Sequence, residues 1–101
     1  MKTSKVVREI ANEIENVFRN NELAEPNPLA LAQLEVLHSR MRLHCGYCFE
    51  RTTKIISLAK DFYSVRKHQL HPGGADGVLR DVCVNLEEMR AWASLWEKNG
   101  K

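Results

Sequence analysis

One stretch, Asn27 to His68, limits what this chain can fold into. Asn27 is a residue type that accepts hydrogen bonds from the free amides of a first helical turn, and Pro28 gives up an amide that would have no helical partner. A helix therefore starts here. From that start Leu34, Leu37, Met41, Cys45, Cys48, Thr52, Ile55, Ala59 and Phe62 recur at spacings of three and four, the signature of one helical face. Gly46 is the residue that would interrupt such a helix, at a cost of roughly 1 kcal/mol relative to alanine if it stays helical. A break normally resets the phase, and the stripe holds its phase across Gly46. The pattern predicts one basic helix over about 28–68, roughly 60 Å long at 1.5 Å per residue. The alternative is a helical hairpin that turns at His44 to Tyr47.

Two shorter helices flank it. Val6, Val7, Ile10, Ile14, Val17 and Phe18 line one side of a helix from about Ser4 to Asn20, with charged residues opposite. After the central stretch, Gln69 to Gly77 holds one proline and three glycines in nine residues and reads as a loop. A third helix follows from about Val78 to Lys98, with Asp76 as its cap and a buried line of Leu79, Val82, Cys83, Leu86, Met89, Ala93 and Trp96. No segment alternates as a strand does, so the expected fold is all-α in a single domain over 1–101. A three-helix layout leaves Val36, Leu43, Leu58 and Val65 as a second apolar line on the long helix. That line calls for a homodimer in which the helix pairs with its own copy. With a break at Gly46 the same sequence makes a monomeric four-helix bundle.

Charge is segregated along the chain. Residues 36–74 carry seven basic side chains against Glu50 and Asp61, a net of +5, whereas the segments before and after carry nets of −2 and −1. Such a basic element suits an acidic protein surface or nucleic acid, and it equally suits a solvated helix face. Within it Arg40, Tyr47, Arg51 and Lys54 lie seven, four and three apart, so a continuous helix places them on one face. Arginine grips carboxylate or phosphate with two prongs, and tyrosine stacks on a base or packs on a protein. Trp92 is a further anchor, because large aromatics dominate interface energetics.

The three cysteines are too few and odd in number for a disulfide framework. Cys45-Gly46-Tyr47-Cys48 is a Cys-x-x-Cys pair, a pattern that holds metals or cycles between dithiol and disulfide. It resembles the redox motif of the alkylhydroperoxidase-like (carboxymuconolactone decarboxylase) helical family. That family has a histidine four residues after the second cysteine, where this chain has Thr52, and an upstream glutamate that Glu35 matches only loosely in spacing. The proton relay is therefore not carried over. A structural zinc needs four ligands, and His44, Cys45 and Cys48 supply three, with Cys83 or His38 left to complete the set. Both cysteines also fall on the apolar stripe, which predicts core residues with no metal and no cofactor.

No catalytic set of recognisable spacing is present, and no apolar run approaches the roughly 18 residues of a membrane span. The start of the chain lacks a secretory pattern, so a cytoplasmic location is expected. The function expected on these grounds is that of a small non-enzymatic interaction protein, a homodimeric regulator or inhibitor docking on an acidic macromolecule or nucleic-acid-handling assembly. Direct nucleic-acid binding and a thiol or zinc protein are the alternatives.

Overall fold

The computed structural model describes residues 2–99, and its elements are all helical. Helix α1 spans Thr3–Asn20, α2 Pro28–Met41, α3 Gly46–Phe62, the single turn α4 Lys67–Leu70, and α5 Gly74–Lys98. There is no strand among the described residues, and no helix is long and apolar enough to cross a membrane. The four longer helices form a ring. Helix α1 packs on α2 and α5, and α3 packs on the same two neighbours from the other side. Their apolar stripes meet in one core that includes Val7, Ile10, Ile14, Leu34, Met41, Ile55, Phe62, Val78, Leu86 and Met89.

The continuous helix expected over 28–68 is not formed. Helix α2 ends at Met41, whose carbonyl accepts from the amides of both His44 (3.0 Å) and Cys45 (3.3 Å). Cys45 is extended, at φ −162° and ψ 120°, and caps the next helix. Its Sγ accepts from the Cys48 amide at 3.3 Å and its carbonyl from Phe49 at 2.8 Å. The reason for the break is energetic. A 60 Å helix has no equally long neighbour to cover its stripe, and the longest dimension of the whole molecule is 44 Å. Folded back through Arg42–Cys45, the two halves turn Leu34, Leu37 and Met41 and Cys48, Thr52, Ile55 and Ala59 towards the same interior, all of them buried. The phase survived because both halves face one core.

That break also dissolves the second apolar line. Val36 lies on α2, Leu43 in the turn, Leu58 half-buried on α3, and Val65 in the turn beyond α3. The four residues therefore do not form one line along a single helix: Val36 and Leu43 still border one groove, while Leu58 and Val65 belong to α3 and the turn beyond it.

The start of α2 is capped as its residue types demand. Asn27 accepts from the Ala30 amide at 3.0 Å, with Pro28 in the first turn. Helix α5 begins four residues earlier than expected, because Gly73 rather than Asp76 precedes it, at φ +86° in the left-handed region that glycine favours. Gly77 is already helical and packs so closely on the Pro72 carbonyl that a Cβ would collide with it. The glycines of this corner thus serve chain direction. Cys83, expected on the buried line of α5, is exposed, and Asn85 is buried instead, donating to the Asp81 carbonyl at 2.9 Å.

Candidate functional site

Helices α3 and α5 run antiparallel, which follows from their side-chain pairing. Arg51 Nη1 meets Glu88 Oε2 at 2.6 Å, while Lys54 and Leu58 share a groove of about 310 Å3 with Asp81, Val84 and Asn85. Tyr47 is one turn before Arg51 and Trp92 one turn after Glu88, so both belong to the same end of this seam. Of the residues singled out in the sequence, Tyr47, Arg51 and Lys54 thus follow one another along the α3 side of the seam, and Trp92 stands one turn beyond Glu88 on α5. Arg40 is not among them. It sits on α2 and binds Glu13 of α1 at 2.8 Å, on the far side of the ring.

The seam is built around the Arg51 guanidinium. It lies 5.3 Å over the Tyr47 ring, a cation–π arrangement, and its side chain is largely buried beside Glu88. Arg51 Nε is buried without a hydrogen-bond partner. The ion pair consumes the charge that the sequence offered to an outside anion. Lys54 is exposed and has no carboxylate partner among the described residues, so it is the free cation of the seam. Trp92 and Trp96 lie with ring centroids 4.0 Å apart and planes tilted by 34°, both half-buried, and Val84 and Leu95 lie exposed on the same side of α5 as Glu88. Sequence reasoning missed Glu88, Val84 and Leu95. The signal was present in their spacing to Trp92, at four, eight and three residues.

The cysteine pair lies at the foot of α3. Cys48 is fully buried, and burial first, then the neighbouring Cys45 thiol, push its own thiol well above the ordinary range. A thiol so placed is a poor nucleophile, since the thiolate is the reactive form. Thr52, where the resembled family has its histidine, donates to the Phe49 carbonyl at 2.8 Å, and Glu35 faces Lys60 at 3.8 Å. His38 stacks on Phe49, with centroids 4.4 Å apart, and bonds Thr53 at 2.8 Å. Among the described residues no three His, Cys, Asp or Glu side chains come together as a metal ion requires.

Compared with known protein families, with characterised proteins and with solved structures, the chain finds no match in any of the three.

Proposed function

We propose that this chain is a small non-enzymatic interaction protein, a four-helix bundle acting as a regulator or inhibitor that docks through the α3/α5 seam on an acidic surface of a larger macromolecular assembly. What supports the reading is the run of Tyr47, Arg51 and Lys54 along α3 facing Glu88 and the exposed Val84 of α5, with Trp92 and the exposed Leu95 further along α5. A partly buried aromatic end with a rim cation is the composition of a contact hot spot. Arg51 holds Tyr47 in place and Lys54 supplies the charge that meets the partner.

The experiment is retention of partners on the immobilised chain from an extract of its own cells, repeated with Tyr47→Ala and Lys54→Glu. Each variant should lose at least tenfold of the retained partner, and added salt should weaken the wild-type contact. Trp92 and Trp96 emission should shift on binding. Retention on plain DNA or RNA, lost as salt rises, would favour the nucleic-acid alternative instead. Equal retention by wild type and both variants would reject the seam.

A further inference from the structure

Three of the exposed large apolar residues, Leu29 (71% exposed), Val36 (61%) and Leu43 (87%), stand seven apart along α2 and the turn that follows it. Seven residues are nearly two helical turns, so Leu29 and Val36 share a face of α2 with the exposed Ala32 between them, and Leu43 in the following turn borders the same groove as Val36 and the exposed Ser39. The opposite face, Ala30, Leu34, Leu37 and Met41, is the one in the core. Between Val36 and Leu43 the surface is dished into a groove of about 430 Å3 lined by Glu35, Val36, Ser39, Arg40 and Leu43. Val36, Ser39, Arg40 and Leu43 are spaced as the four corners of a hole that receives one side chain from a facing helix in coiled-coil packing.

We propose that this face of α2 pairs antiparallel with α2 of a second copy, Val36 of each chain entering the hole of the other. The occupant follows from self-complementarity. In that register Val36 faces the second copy's Ser39 and Leu43 faces the second copy's Ala32, so each large side chain meets a small one. Glu35 then stands opposite the second copy's Arg42, and the two-fold axis repeats that ion pair. Within its own chain Arg42 has no carboxylate partner among the described residues, and Glu35 holds Lys60 only at 3.8 Å. In this register the paired stretch runs from Ala32 to Leu43, about three turns or roughly 17 Å, too short to reach the ~800 Å2 per partner of a standard interface. Association is therefore weak and concentration-dependent. This inference stands on α2 alone and does not depend on the α3/α5 seam.

Sedimentation velocity of the full chain, from micromolar to millimolar concentration, tests it. The mass should rise from 11.6 kDa towards twice that value. Val36→Asp should abolish the rise while circular dichroism shows its helix content unchanged. Glu35→Arg and Arg42→Glu should each weaken the dimer about threefold or more, a surface-pair magnitude. The double variant should recover most of the loss, because it only exchanges the two signs. Tyr47→Ala and Lys54→Glu should leave the dimer as it is, which separates this face from the seam. A monomer at millimolar concentration overturns the proposal, and so does a double variant as weak as the singles. A face that captures a different protein while the chain itself stays monomeric overturns it too.

Discussion

Tyr63 closes the end of the core where α1 and α3 finish. Its ring stacks on Phe18 at 5.7 Å and meets Phe62 edge-on at 4.9 Å, while its hydroxyl donates to the Asn21 carbonyl at 2.8 Å. Burial pushes its pKa up from 10.0 to about 12. The unfolded chain releases this proton first, so the stability Tyr63 contributes is whole below pH 10 and is lost as pH rises towards 12. Denaturant titrations at stepped alkaline pH should show that fall, and Tyr63→Phe should make it shallower. The same substitution should cost about 1 kcal/mol at neutral pH through the lost hydrogen bond. A slope unchanged in the variant would refute this account. None of this is legible in the sequence, where nothing sets Tyr63 apart from the apolar stripe that ends at Phe62.

At the level of helices, Gly46 carries the lesson of what was legible. The stripes in outline, the Asn27 cap and the presence of a glycine-bearing turn before the last helix read directly from the sequence, because each depends on neighbours within a few residues, although Gly74 to Gly77 read as loop and are helical. The cut between α2 and α3 was not legible, because it depends on what covers the stripe, a matter of partners far along the chain. Gly46 itself does not make the cut. It has no positive φ, and a Cβ added there meets nothing within 4 Å. Gly46→Ala should therefore keep the turn and raise stability by about 0.4–1 kcal/mol, by narrowing the unfolded ensemble. Thermal melting checks the gain, and backbone chemical shifts at Arg42 to Cys45 check that the turn persists. The candidate site divides in the same way. The α3 line of Tyr47, Arg51 and Lys54 was legible as a face, while Glu88, which neutralises Arg51 from another helix, was not.

Over the whole molecule, the segregation of charge along the sequence becomes pairing between neighbours in the ring. Arg40 meets Glu13 between α1 and α2, and Lys60 meets Glu35 between α2 and α3. Arg51 meets Glu88 between α3 and α5, and Arg8 and Arg90 meet Glu97 and Glu15 between α5 and α1. Three of the seven basic side chains of the middle third, Arg40, Arg51 and Lys60, thus find their acidic partners within the chain itself. These pairs are mostly exposed, so each adds little stability. Reversing Arg8→Glu or Glu97→Arg singly should lower the melting temperature slightly. The double reversal should recover it, with a coupling below about 1 kcal/mol that salt erases. Additive losses in the double variant would show the pair to be idle. Yet such pairs distinguish what apolar burial cannot. Four helices in this order can be wound clockwise or anticlockwise, and both windings bury the same stripes. Only one of them turns each arginine or lysine flank towards the helix that carries its carboxylate, so the seam charges, small singly, together favour the observed hand.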